Sequence, residues 1–318
     1  MAVNAFIFPG QGSQVVGMGR DLAASFAAAR QVFEEVDEVL KQKLTKLMFE
    51  GPAEELTLTE NAQPALMAVS LAVLRVLQTE GGIDLKTKII LAAGHSLGEY
   101  SALAAVEAFP IATAAKLLKL RGQAMQKAVP QGVGAMAALL GVELALAREI
   151  CSEAESVRGE GEIVAVANDN GGGQVVISGH KAAVEQAMEI AKSKGVKRAM
   201  LLPVSAPFHC ALMAPAAEAM AEAFANTPPQ TPNLPIIANV TASKVTDPAR
   251  IRALLVQQVT DTVRWRESVD EMVKLGVTNF YEIGAGKVLS GLVKRIAPDA
   301  AATAIGTPAD IEALLKVL

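Results

Sequence analysis

Ile89-Ile90-Leu91-Ala92-Ala93-Gly94-His95-Ser96-Leu97-Gly98-Glu99-Tyr100 decides how the rest of the chain is read. An apolar run with β-branched residues at its start predicts a buried strand. It stops at Gly94, and a helix-compatible run begins just past Ser96. Gly94-His95-Ser96-Leu97-Gly98 fits Gly-x-Ser-x-Gly, the pattern of a nucleophile elbow. A turn this sharp drives together the residues two before and two after the serine, which leaves room for glycine there. The serine is forced into a strained backbone conformation with its hydroxyl exposed at a helix N-terminus. Unpaired N–H groups at that end favour developing negative charge, which suits an oxygen nucleophile. The pentapeptide alone arises by chance in about one chain of this length in ten. The weight therefore has to come from the rest of the sequence.

The 318 residues are enough for one large domain with an insertion, or for two modest domains. Apolar residues make up 51% and aromatics 4%, so the expected core is sizeable but built of small side chains. A net charge of −4 weighs against a nucleic-acid partner, which wants a basic face. Cys151 and Cys210 make no disulfide framework and share no metal-ligand spacing. A reducing cytoplasm is the expected setting, with no metal and no cofactor. The start, Met1-Ala2-Val3-Asn4-Ala5-Phe6-Ile7-Phe8, lacks the basic lead and long apolar core of a signal peptide. Arg75 and Glu107 break the longest apolar stretches, which predicts no membrane span.

Residues 3–8 read as a strand running into Pro9-Gly10-Gln11-Gly12-Ser13-Gln14. A dinucleotide-binding loop is disfavoured, because Val15 stands where the third glycine belongs. Such a loop can aim a backbone N–H at the nucleophile from the opposite side; a plain glycine-rich turn is the stronger reading of this loop alone. Apolar residues at helical spacing predict a helix over 21–43. Leu58-Thr59-Glu60-Asn61-Ala62-Gln63-Pro64 opens another, with Pro64 in its first turn, running to 79 and apolar nearly all round. Helices follow over 97–105 and 111–127. From 135 to 202 the order is strand, helix, strand, strand, helix, strand, which is that of a ferredoxin-like unit. Beyond it, helices and strands alternate again to the glycine turn Gly284-Ala285-Gly286-Lys287, predicting a mostly parallel sheet.

Ser96 needs a base, and only three histidines exist: His95, His180 and His209. His180 precedes a predicted helix and reads as a solvated or capping residue. His95 adjoins the serine on a sharp turn, where neighbouring side chains diverge. His209 lies in Pro203-Val204-Ser205-Ala206-Pro207-Phe208-His209-Cys210, a proline-punctuated loop at the edge of the inserted unit, where sites are favoured. Taken alone it reads equally well as a loop histidine satisfied locally.

Several motifs occur together and in order: Phe8-Pro9-Gly10-Gln11-Gly12-Ser13-Gln14, Gln63-Pro64-Ala65, the elbow, Arg121-Gly122, Ser205-Ala206-Pro207-Phe208-His209, Asn239-Val240 and Gly284-Ala285-Gly286-Lys287-Val288-Leu289. With these the whole chain resembles the malonyl-CoA:acyl-carrier-protein transacylase family of bacterial type II fatty-acid synthesis. The resemblance implies an α/β-hydrolase-like, mostly parallel sheet formed by residues 1–131 and 204–318, with a ferredoxin-like βαββαβ subdomain at 132–203. It implies Ser96 as the nucleophile that takes a malonyl group from coenzyme A, and His209 as its general base and then general acid. A backbone carbonyl orients that histidine in the family; by position it belongs to Gln258, with Gln257 one slip away. The implied oxyanion hole is the N–H groups of Gln11 and Leu97. Gln63 and His95 would line the pocket, with Met125 and Val204 as walls or as ordinary core.

Arg121 would hold the malonyl carboxylate, since a planar carboxylate suits a bidentate guanidinium. The competing reading is a surface arginine beside Lys119. Glu107 and Phe109-Pro110 depart from the family's glycine-ended helix, and Phe208 is larger than some members carry. The implied partners are malonyl-CoA and an acidic holo acyl carrier protein, docked near the groove between the subdomains. Lys181, Lys192, Lys194, Lys197 and Arg198, with Lys287, Lys294 and Arg295, are the candidate basic contacts. Nothing demands more than a monomer, and a free-standing chain favours fatty-acid over polyketide supply. The rivals are an acyltransferase for another carboxyacyl-CoA in polyketide assembly, a serine hydrolase, and a silent carrier-binding module, which intact Ser96 and His209 disfavour.

Overall fold

Two sheets carry the protein, seen here in a computed structural model that describes residues 2–204 and 206–318; Met1 and Ser205, quoted in motifs above, lie outside the described residues. In chain order the strands are β1 (Asn4–Phe8), β2 (Leu91–Gly94), β3 (Gly134–Leu140), β4 (Val164–Asp169) and β5 (Gln174–His180). They continue with β6 (Arg198–Leu201), β7 (Ile236–Ala238), β8 (Ser243–Val245), β9 (Asn279–Ile283) and β10 (Ala301–Ile305).

The larger sheet has the order β10-β9-β1-β2-β7-β8. Its pairings are parallel except for β7 with β8, so the expectation of a mostly parallel sheet holds. The central strands are apolar on both faces, as helices on both sides require: Phe6 and Phe8 face one core, Ala5 and Ile7 the other. The smaller sheet, order β4-β5-β3-β6, is antiparallel throughout. Alternation sorts its side chains. Leu139, Val175 and Ile177 form a separate core with the helices Leu144–Arg158 and Lys181–Ser193, while Met136, Ala167 and Val176 continue the core of the larger part. The chain is thus mixed α/β, with two sheets that share one packed seam.

Some expectations need correcting. The helix expected over 21–43 is two, Arg20–Ser25 and Ala27–Leu40, broken at Phe26, whose backbone is extended. Pro64 is the sixth residue of the helix Thr59–Thr79, not part of its first turn, so that helix lacks one interior backbone hydrogen bond. Contrary to the reading of Arg75, this helix is long and apolar enough to cross a membrane, but 83% of its apolar window is buried inside the protein. Ile89 and Ile90 precede β2, and Ile90 is exposed. Glu107, where the family keeps a glycine-ended helix, has a left-handed backbone at φ 64°. Ile90 still donates its backbone N–H to the Asn4 carbonyl at the start of β1, at 3.0 Å.

The bend after β2 follows the steric argument. A Cβ on Gly94 would lie 1.9 Å from the Gly98 carbonyl oxygen, and one on Gly98 would lie 2.2 Å from that of Phe8. Between them Ser96 adopts φ 53°, ψ −112°, a conformation L-residues rarely hold. Gly94→Ala is expected to lower the unfolding free energy in urea titration by about 3 kcal/mol or more, because only backbone could move aside. Gly291→Ala, in the helix Val288–Ile296 with nothing within 4 Å of the added carbon, is expected to raise it by about 0.5–1 kcal/mol.

Candidate active site

Ser96 lies at the N-terminal end of the helix Leu97–Ala105, just past β2, on the bend described above. Asn239, following β7, clamps the bend from both sides. Its Oδ1 accepts from the Ser96 N–H at 2.7 Å and its Nδ2 donates to the Gly94 carbonyl at 2.6 Å. Asn239 is fully buried, so no water competes for either bond.

His209 arrives from the loop after β6, as expected, and its Nε2 is 2.8 Å from the Ser96 Oγ. Its Nδ1 is 2.8 Å from the Gln258 backbone carbonyl. A carbonyl only accepts, so Nδ1 carries the proton and Nε2 is left to accept from the serine hydroxyl. His209 has φ 58°, so both members of the pair hold their positions from left-handed backbone. Burial, followed by the Arg121 cation, pushes His209 down to about 3, against the Gln258 carbonyl, which favours the charged form. The imidazole is therefore neutral at physiological pH, the state a general base needs.

Arg121 is not a surface residue. It is 1% exposed, and its ends are occupied by uncharged groups. Nη1 donates to Gln63 Oε1 at 2.8 Å, and Nη2 to Gln258 Oε1 at 2.9 Å and to the Ser96 Oγ at 3.2 Å. The guanidinium carbon lies 5.5 Å from the Tyr100 ring centroid. Among the described residues no carboxylate is within ion-pair distance of it, and its Nε has no partner. A buried cation with no direct ion-pair partner beside a nucleophile has the chemistry to receive an anion.

A cavity of about 470 Å³ opens onto these groups. It is lined by Gln63, His95, Met125 and Val204, the pocket residues named above, and by Gln11, Leu97 and Phe208. Leu97 begins its helix, so its N–H has no carbonyl one turn earlier within that helix. Gln11 is moored by its side chain, which accepts from the Thr59 hydroxyl at 2.6 Å. Gln63 Nε2 also donates to the Met125 thioether Sδ at 3.7 Å. His95 does turn away from Ser96: its Nε2 is 2.9 Å from Asn170 Oδ1 and its ring lies against Trp265. His180 ends β5, and its Nδ1 accepts from the Ile163 N–H, which is a structural role.

The sequence reading missed Glu99, Asn170 and the clamp made by Asn239. Glu99 is 1% exposed, and burial raises it to about 7 against the lowering effects of the Asn239 N–H, the Gln258 amide and the Arg121 charge. Glu99 and Asn239 carried a signal only through their places in the quoted elbow stretch and the Asn239-Val240 motif; Asn170 carried none. The basic contacts are also redistributed. Lys194 is held between Glu149 and Glu153, and Lys181 pairs with Glu185, on helices that cover the outer face of the smaller sheet. Arg295 instead meets Gln174 at the seam, through a 3.1 Å hydrogen bond.

Residues 5–308 match the acyl transferase domain family. The malonyl CoA-acyl carrier protein transacylase of Bacillus subtilis (strain 168) is 46% identical over 318 residues, covering 100% of this chain and 98% of that protein. The protein of the same name from Escherichia coli (strain K12) is also 46% identical, over 317 residues and the full length of both. Among solved structures, an acyl-carrier-protein-S-malonyltransferase from Bartonella henselae superposes with a TM-score of 0.96 at 54% identity, covering 99% of each chain. A malonyl-transacylase solved in complex with a type II polyketide-synthase acyl-carrier protein superposes at 0.95 with 42% identity, covering 100% of each. On its length, its motifs and its architecture alike, the chain belongs to the malonyl CoA-acyl carrier protein transacylase family.

Proposed function

We propose that the protein moves a malonyl group from malonyl-CoA to the phosphopantetheine thiol of acyl carrier protein, through a malonyl ester of Ser96, in a ping-pong reaction that supplies fatty-acid elongation. The observation that carries this reading is the Ser96–His209 hydrogen bond beside Arg121, which has no direct ion-pair partner among the described residues, at one cavity. Ser96 Oγ attacks the thioester carbonyl while its proton passes to His209 Nε2. The N–H groups of Gln11 and Leu97 receive the negative charge on the tetrahedral oxygen. As the C–S bond breaks, the coenzyme A sulfur leaves with the proton from His209. The carrier thiol then gives its proton to His209 and attacks the ester carbonyl, and Ser96 departs with that proton. Arg121 holds the free carboxylate throughout, which selects a carboxylated acyl group over a neutral one. Gln63 positions the guanidinium, Met125 and Phe208 wall the acyl pocket, and His95 shapes its floor. Gln258 keeps the His209 ring in the accepting tautomer.

The same reading assigns residues 1–131 and 204–318 to an α/β-hydrolase-like part, and 132–203 to a ferredoxin-like subdomain. The separate core of the smaller sheet and its βαββαβ order support this. The carrier docks near the groove at the seam, where Lys287, Lys294 and Arg295 are exposed, rather than on the ion-paired Lys181 and Lys194. The working form is a monomer in the cytoplasm, with no metal or cofactor in the reaction.

Incubation with malonyl-CoA and no carrier should leave one malonyl group on the peptide bearing Ser96, seen by mass spectrometry, and Ser96→Ala should abolish it. Added holo carrier should discharge the ester far faster than water; rapid release of free malonate instead would make the protein a hydrolase. Arg121→Ala should lower kcat/KM for malonyl-CoA by about 100-fold, the cost of leaving a buried charge unmatched, and that for acetyl-CoA much less. The pH profile should reflect the neutral His209. Its pKa lies below the ordinary 6.5, so the base form persists as pH falls through that value. The acid limb of kcat/KM is expected well below pH 6.5, and a limb centred near 6.5 would contradict the assignment.

A further inference from the structure

Glu99 is a buried carboxyl group at the site for which the reaction has no step. Its carboxylate Oε2 accepts from the Asn239 backbone N–H at 3.1 Å and from Gln258 Nε2 at 2.7 Å. The other end of that amide, Gln258 Oε1, accepts from Arg121 Nη2. Gln258 Nε2 also reaches the Ser96 carbonyl at 3.1 Å.

The polarity of this chain is enforced. A guanidinium has only donors, and at the far end of the amide Gln258 Nε2 meets two acceptors, Glu99 Oε2 and the Ser96 carbonyl. Reversing the Gln258 amide would set NH₂ against Arg121 and oxygen against Glu99, so two buried contacts would turn repulsive. Glu99 and Arg121 therefore fix the amide between them, and the amide fixes Nη2. The spacing has a second consequence. A carboxylate paired directly with Arg121 would occupy the guanidinium edge that an anionic ligand needs. Set one amide away, Glu99 offers opposite charge when ionised without pairing directly with the guanidinium.

We propose that Glu99 is a positioning residue for acyl-group selection: through the Gln258 side-chain amide it holds the Arg121 guanidinium where the substrate carboxylate lands. This rests on the reading of Arg121 as the carboxylate holder. The Gln258 residue then serves two partners at once, its backbone carbonyl orienting His209 and its side chain orienting Arg121. The Asn239 contact alone does not account for a carboxylate at position 99, because a neutral amide oxygen could accept that N–H as well.

The test compares kcat/KM for malonyl-CoA and for acetyl-CoA in the wild type, Glu99→Gln, Gln258→Met and Arg121→Ala, with transfer to holo carrier as the readout. Glu99→Gln keeps the shape, but its amide can donate or accept and no longer enforces polarity. The expected result is a malonyl-to-acetyl ratio lowered about tenfold or more, the worth of one hydrogen bond to a charged group, expressed mainly as a raised KM for malonyl-CoA. Equal losses on both substrates would mean a merely structural role and overturn the proposal. A ratio kept in Glu99→Gln but lost in Arg121→Ala would overturn the proposal and leave the reading of Arg121 intact. A ratio kept in Arg121→Ala would overturn that reading and the proposal with it. Should Glu99→Gln fail to fold, Gln258→Met decides, since it retains the backbone carbonyl on His209: a lowered ratio supports the proposal and a retained one overturns it.

Discussion

Ser96 Oγ reaches His209 Nε2 at 2.8 Å from two backbones that are both left-handed, and everything else at the site serves that contact. Neither conformation is stable on local grounds. Gly94 and Gly98 remove the side chains that would block the first bend, and Asn239 ties its two sides together. The Gln258 carbonyl fixes the ring of the second. The strain is offset by long-range buried hydrogen bonds, so the pair is held in place before any substrate arrives.

Charge at the site is arranged with similar economy. Arg121 is buried against neutral partners, and its nearest compensating carboxylate, Glu99, is one amide away. The same cation discourages protonation of His209, in step with the effect of burial. One guanidinium thus bears on both halves of the chemistry: it keeps the base neutral, and it offers the place where a carboxylated acyl group can bind. Gln258 joins the two through its backbone and its side chain. The smaller sheet reaches this assembly through Asn170, which meets His95, and through Asp169, which pairs with Arg266 at 2.9 Å.

What could be read from the sequence is what local sterics and periodicity encode. The elbow was legible because its glycines clash only with near neighbours in the chain or with β1. The βαββαβ order was legible from apolar spacing. His209 could be found because histidine is scarce, although nothing in Phe208-His209-Cys210 announces a left-handed backbone. The rest depends on contacts between distant segments. Glu99 looks like a first-turn helix acid, and its partners Asn239 and Gln258 lie far along the chain. β8 and β10 are short strands at opposite edges of the larger sheet, where pairing and not periodicity defines them. The lysines of the inserted unit suggested a docking face, but the helices that carry Lys181 and Lys194 cover the far side of their sheet and pair both charges.

The central claim is that a neutral His209, with its proton on Nδ1, accepts the Ser96 proton at Nε2. With three histidines in the chain, nitrogen-15 NMR of the imidazoles can read this directly. The account predicts a His209 resonance pair for a protonated Nδ1 and a bare Nε2 at pH 7, unchanged on acidification through 6.5. A proton on Nε2, or an imidazolium already present at pH 7, would contradict it.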